Sequence, residues 1–407
     1  DRTPRSEAPV HTLWRAASPT ETLEMPQVEL PEDLPLLTPR KPSGLIQGEA
    51  ASAPDLPFHT GEDLPAGGDL MEMTTGDVVL PSEPLETPTP VPRADAPFAA
   101  VRRVAQTELF AQVRGDPLAP EPYRVLSDQF DDTGDVARSA LMAEIADALE
   151  GDPDAAPRPP KLMLSATDRA GLRHPLLRSD AGELFGMAGL ALCKLYPAQG
   201  RSAGSKAVFR FDSGRWAERA ADALLAAVRV LGLRAPDVYL SEDNGPPFSL
   251  VFAEGLRVLV GKLAIKKELP DAELRFFAGR ALFTQNPELL ALRSLRREQI
   301  ARGLSVVGQV LKGRVASEEG RWVQESIPSK ALPRMGELFA KVGKTLAIGA
   351  LMEGARHSSN RAGLVVCGGV APALAALRAK KALDPEIAEL VKFAASERYL
   401  QLRNRQL

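Results

Sequence analysis

The sequence predicts an α+β protein, predominantly helical, lying behind a long N-terminal segment with no fold of its own. Three observations carry that reading. The composition breaks near residue 97; beyond the break, apolar residues recur at helical spacing over long runs; and β-type runs are short and confined to residues 237–262.

Residues 1–97 hold 17 of the 35 prolines and 17 Asp/Glu against 6 Lys/Arg, a net charge of −11. Stretches such as "LPEDLPLLTPRKPSG" combine proline, acidic charge and short aliphatic clusters without sustained periodicity. Such a segment cannot bury enough apolar area to offset chain entropy, so disorder is expected over 1–97. Its aliphatic islands, for example Leu34, Leu36 and Leu37, suit a spacer or a tail that docks in a partner's groove. The remaining residues carry 44 basic and 36 acidic side chains.

Residues 98–156 turn helical. "PYRVLSDQFDDTGDVARSALMAEIADALEGDPDA" places Tyr123, Leu126 and Phe130 on one face, then a turn at Gly134 and Asp135, then Ala137, Leu141, Ile145, Ala146 and Leu149 on a second face. This helical hairpin resembles a single tetratricopeptide unit, and "FAAVRRVAQTELFAQVRGDPLAP" resembles the last helix of a preceding one. A lone repeat cannot close a core. The chain is therefore expected to be the C-terminal piece of a longer repeat protein, or its hairpin to dock on the domain C-terminal to it.

Residues 157–407 form the third region. Ser165 and Asp168 suit a capping box, "DAGELFGMAGLALCKLYP" an apolar helix, and "SGRWAERAADALLAAVRVLGL" a helix striped by Trp216, Ala220, Leu224, Ala227, Val228 and Leu231 and stopped by Gly232. Short strands come next in "DVYLS", "FSLVFAEG" and "LRVLVGK". The next helix, in "LPDAELRFFAGRALFTQNPE", carries Leu274, Phe277, Ala278, Ala281 and Leu282 on one stripe. Further helices close the chain, the last region opening with Asp384 as N-cap and Pro385 at N1.

"RVLVGKLAIKKELPDAELRFFAGRALFT" and "HSSNRAGLVVCGGVAPALAAL" occur in the order of two blocks of a known family. Over about residues 205–380 the chain is similar to gluzincin metallopeptidases of the prenyl-protease and heat-shock-protease type, some of which are tetratricopeptide-linked. It also resembles non-catalytic domains at the ends of deltaproteobacterial repeat proteins. The resemblance implies a zincin-like fold in which an HExxH helix supplies two zinc-binding His and a general-base Glu, and a later helix supplies a third ligand. Aligned on that frame, Arg280 and Thr284 stand at the His places and Ala281 at the Glu place. Ser358 stands at the glutamate ligand and Asn360 at the supporting aspartate. Arg is a permanent cation with donors only, and Ala accepts no proton. The frame thus implies a degenerate metallopeptidase whose ligand positions tolerate exchange while the apolar stripe does not.

No metal or cofactor is expected. The candidates beyond the N-terminal segment are His174, His357, Cys193 and Cys367, and His357 has no ligand-type residue three or four positions further along the chain. "QGRSAGSKAVFRF" lacks phosphate-loop spacing and reads as a flexible connection. Arg293, Arg296, Arg297 and Arg302 lack an aromatic platform, which suits a solvated helix face rather than nucleic-acid binding. Two cysteines allow no disulfide framework and favour a reducing, cytoplasmic setting. The longest uncharged run, 362–377, is too short for the roughly 18 to 20 residues of a membrane helix, so membrane insertion is not expected. The first residue is Asp rather than Met, which leaves room for an upstream signal. The function expected is a non-catalytic protein-interaction or scaffold module with a protein partner. The alternative is a hydrolase- or peptidase-related enzyme with a different active site.

Overall fold

The computed structural model describes residues 96–151, 157, 161, 163–211, 214–242, 245–266, 269–343 and 345–404, with side chains from residue 106. The disorder expected for 1–97 falls outside these residues apart from the first turn of a helix. In chain order the elements are α1 (Ala96–Gly115), α2 (Glu121–Asp132), α3 (Val136–Glu150), α4 (Ala166–Gly171), α5 (Asp180–Leu195) and α6 (Arg215–Leu231). The strands β1 (Asp237–Leu240), β2 (Phe248–Phe252) and β3 (Leu256–Val260) come next. Ten helices complete the order: α7 (Lys262–Lys266), α8 (Asp271–Phe283), α9 (Pro287–Ser294), α10 (Arg297–Val310), α11 (Glu318–Ser326), α12 (Leu332–Val342), α13 (Ile348–Cys367), α14 (Val370–Ala379), α15 (Asp384–Ala394) and α16 (Glu397–Asn404). The protein is α+β, predominantly helical, with one small sheet among the described residues.

The expected hairpin is present. Asp135 caps α3 by accepting the Arg138 N–H, and Gly151 ends it in the left-handed region that glycine enters without a Cβ clash. Tyr123, Leu126, Phe130, Leu141, Ile145 and Ala146 are buried, whereas Ala137 faces solvent. Buried Glu144 ties the hairpin to the C-terminal helices: it accepts the Val370 N–H at the start of α14, at 2.8 Å, and pairs with Arg403. A carboxylate at that helix N-terminus also suits the helix dipole. Arg138 adds a bond to Glu397 at 2.8 Å. Val101–Leu407 fall in one compact unit, so the hairpin shares a core with the helices C-terminal to it.

Ser165 and Asp168 form the expected capping box, and Gly232 ends α6 with φ 57°. Asp384 is the first residue of α15 rather than its cap; Leu383 occupies that place, with Pro385 in the first turn. The sheet has the order β1-β3-β2, with β3 parallel to β1 and antiparallel to β2. Central β3 carries the continuous apolar run Val258, Leu259 and Val260, all buried, as a strand flanked on both edges requires. The segment expected to be a flexible connection is instead fastened along β1. The Ser205 N–H donates to the Leu240 carbonyl at 2.8 Å, the Phe209 N–H to that of Val238 at 2.7 Å, and a Cβ at Gly204 would strike Leu259.

From β3 the chain passes through α7 to α8, the helix that organises the rest. Its expected stripe is buried, but so are Ala272, Phe276, Gly279 and Phe283, leaving almost no solvated face. A helix apolar on all sides belongs in an interior. Against it crosses α13, itself buried from Ser358 to Cys367. The two helices approach through glycines. A Cβ at Gly279 would lie 2.7 Å from the Val366 Cβ, and one at Gly363 would lie 2.8 Å from the Phe276 carbonyl oxygen.

This packing changes one expectation. Ala281 and Thr284 are 5% and 4% exposed, so the positions aligned with catalytic residues are close-packed and leave no slack for larger polar groups. Phe277→Ala is expected to cost about 3–5 kcal/mol, and Ala281→Glu, which buries an unpaired carboxylate, at least about as much. Urea denaturation of both variants is the check, and a stable Ala281→Glu chain would show that this side of α8 is not packed.

Candidate functional site

The aligned positions divide into two groups. Thr284 and Ser358 spend their hydroxyls on their own helices: Thr284 Oγ1 donates to the Arg280 carbonyl at 3.2 Å and Ser358 Oγ to that of Gly354 at 2.7 Å. Ser358 Oγ also accepts the His174 N–H at 2.8 Å, which fastens the 3-10 turn Pro175–Leu177 to α13. Ala281 lies in the core. Arg280 and Asn360, in contrast, are brought together from different helices at a shared carboxylate that the sequence pattern does not single out.

That carboxylate is Glu386 of α15, 9% exposed. Its Oε1 accepts from Asn360 Nδ2 at 2.8 Å and from Lys380 Nζ, and stands 3.7 Å from Arg280 Nη2. Burial raises the Glu386 pKa, but the bonds from Lys380 and Asn360 outweigh it and hold the carboxyl below its ordinary value. The cations are disfavoured. Burial, then the charge of Arg293, push Arg280 down to about 9, against the pull of Glu386. Burial pushes Lys380 down to about 8, with the Arg280 charge adding to it. Arg293, expected on a solvated face, is half-buried and depressed by burial and by Arg356, whereas Arg296 and Arg297 are exposed and Arg302 pairs with Glu319 at 2.7 Å. The expectation fails there because α9 ends at Ser294, and Arg293 belongs to that helix rather than to the one carrying Arg297 and Arg302.

A second cluster sits beside it. His174 Nδ1 lies 3.3 Å from the Leu176 amide nitrogen, and its Nε2 lies 3.2 Å from Glu389 Oε1. Arg361 Nη2 reaches the same oxygen at 2.9 Å and its guanidinium lies over the Phe393 ring at 4.7 Å. The His357 ring lies 5.2 Å from that of His174 at a tilt of 39°, and burial, then His174, lowers its pKa. Both cysteines are free and buried, and burial pushes each thiol up to about 12, so neither supplies a thiolate near neutrality. Among the described residues no three His, Cys, Asp or Glu gather as a metal site. None of their helices is long and apolar enough to cross a membrane.

The signal for these carboxylates is present in the sequence but weak. Glu386 and Glu389 are three residues apart beside the stripe of Ile387, Leu390 and Val391, a spacing equally common on solvated helix edges. An open groove of about 210 Å³ lies where the hairpin meets the C-terminal helices, lined by Phe110, Phe130, Arg138, Met142, Glu397 and Leu400 among others. The chain matches no protein-family model, and neither the curated proteins nor the solved structures give a match.

Burial raises the Glu389 pKa, yet the His174 hydrogen bond and the charges of Arg361, His174 and His357 hold it at about 2. A depressed carboxyl contributes stability that is complete above its unfolded value of about 4.3 and is lost as pH falls through its folded value. Glu389→Gln is therefore expected to lose roughly 2 kcal/mol near neutrality, with the difference from wild type shrinking below about pH 4 and vanishing near about pH 2. Denaturation midpoints across that range are the check; a difference independent of pH would contradict it.

Proposed function

We propose that this chain is a non-catalytic interaction module, in which a tetratricopeptide-like hairpin is joined to a metallopeptidase-like frame that has lost its ligands and base. The observation that carries the reading is the use made of the aligned positions. Arg280 and Asn360 serve Glu386, Thr284 and Ser358 bond to their own helices, and Ala281 fills core space. A hydrolytic zinc site needs three ligands, an open coordination position and a base near the bound water. Side chains committed to packing and to internal hydrogen bonds supply none of these.

A protein is the partner this reading calls for. The groove at the edge of the hairpin offers Phe110, Phe130 and Met142 beside Arg138 and Glu397, an apolar floor with a charged rim of the kind that protein contacts use.

The full chain is expected to hold no stoichiometric zinc after dialysis against a weak chelator and to leave casein intact. Metal analysis and gel-based proteolysis are the measurements. About one zinc per chain, together with casein cleavage abolished by the chelator, would overturn the proposal.

A further inference from the structure

The described residues around Glu386 leave a charge imbalance that they do not themselves resolve. Arg280 from α8, Arg293 from α9, Arg356 from α13 and Lys380 after α14 act on one another or on Glu386, and among the described residues Glu386 is the one carboxylate that acts on Arg280, Arg293 and Lys380. Arg280, Arg293 and Lys380 thus share one carboxylate, and Arg356 adds a fourth positive charge beside Arg280 and Arg293.

Hydrogen bonding is equally incomplete. Glu386 takes a bond from Lys380, but Arg280 comes no nearer to it than 3.7 Å. The Nε atoms of Arg280 and Arg293 are buried with no hydrogen-bond partner among the described residues. Surplus charge and unfilled donors in a low-dielectric interior are costly unless something compensates them. Asn360 Oδ1 is unpartnered too, but as an acceptor it cannot supply the missing charge.

The shape of the deficit indicates what would fill it. Three guanidinium groups present planar forks of N–H donors, the geometry that matches the oxygens of phosphate, and a dianion would cancel most of the excess. The cluster is not sealed, since the Arg280 and Lys380 side chains keep 12% and 21% of their exposure. We propose that Arg280, Arg293, Arg356 and Lys380 form a binding site for a phosphate group, as the free ion or as the head of a phosphate monoester. This site stands apart from the non-catalytic reading, because it needs only the placement of four cations around one carboxylate.

The test is calorimetric titration of the full chain, in chloride buffer at matched ionic strength, with inorganic phosphate and with phenyl phosphate. Saturable binding of inorganic phosphate, with a melting temperature that rises with phosphate and not with added chloride, is expected. Binding of phenyl phosphate as well assigns the site to esters; binding of inorganic phosphate alone assigns it to the free ion. Arg293→Gln and Arg356→Gln should each weaken binding at least about tenfold, a loss of one charged hydrogen-bonding partner. In phosphate-free buffer both should melt no lower than wild type, because each relieves repulsion. Arg302→Gln, at an exposed arginine on the neighbouring helix, should bind as wild type does. Absence of saturable binding in the wild-type chain, a result that needs no variant to fold, would overturn the proposal. So would wild-type affinity in both Arg293→Gln and Arg356→Gln, or an equal loss in Arg302→Gln.

Discussion

The close crossing of α8 and α13 is the constraint on which the rest of the structure depends. Gly279 and Gly363 remove the side chains that would hold the two helices apart, so Val366 and Ala362 of α13 close on Gly279 and Phe276 of α8 closes on Gly363. Everything near the crossing inherits that fit. Phe276 and Phe277 stack edge to face at 5.6 Å, and the small residues Ala278, Ala281, Ala355 and Ala362 fill what space remains.

The crossing also fixes where charge goes. Arg280 is the neighbour of Gly279 on α8, and Asn360 lies three residues before Gly363 on α13, so neither backbone can withdraw from the seam. Their polar ends must be satisfied there, and α15 brings Glu386 to both, with Lys380 arriving from the α14–α15 turn. A single carboxylate among several cations is a poor balance for stability. Removing it would leave buried positive charge with no partner, the costliest kind of polar burial. The neighbouring Glu389 cluster is better matched, since His174 and Arg361 both reach its Oε1.

Much of the secondary structure was legible because it rests on local chemistry. The Ser165–Asp168 capping box, the stop at Gly232, the three strands and the stripe of α8 each arise from a few neighbouring residues. Tertiary contacts were not legible. Phe276 and Gly279 look like the outer face of an amphipathic helix until α13 covers them, and Arg293 looks solvated until its helix ends and draws it partly inward. Glu386 and Glu389 resemble ordinary surface acids, because nothing in the local sequence tells which of two helix edges will meet a distant arginine. That Arg280 and Asn360 share a carboxylate is likewise knowledge only the fold supplies.

The most direct test of the crossing is a comparison of two glycine substitutions, each inside a long helix, by chemical denaturation of the full chain. Gly363→Ala puts a methyl group against the Phe276 backbone, whereas Gly186→Ala, in α5, meets nothing within 4 Å. Overpacking at the crossing predicts a loss of about 1–3 kcal/mol or more for Gly363→Ala, against a gain of up to about 1 kcal/mol for Gly186→Ala from helix propensity. Equal stability of the two variants would contradict a structure organised around that contact.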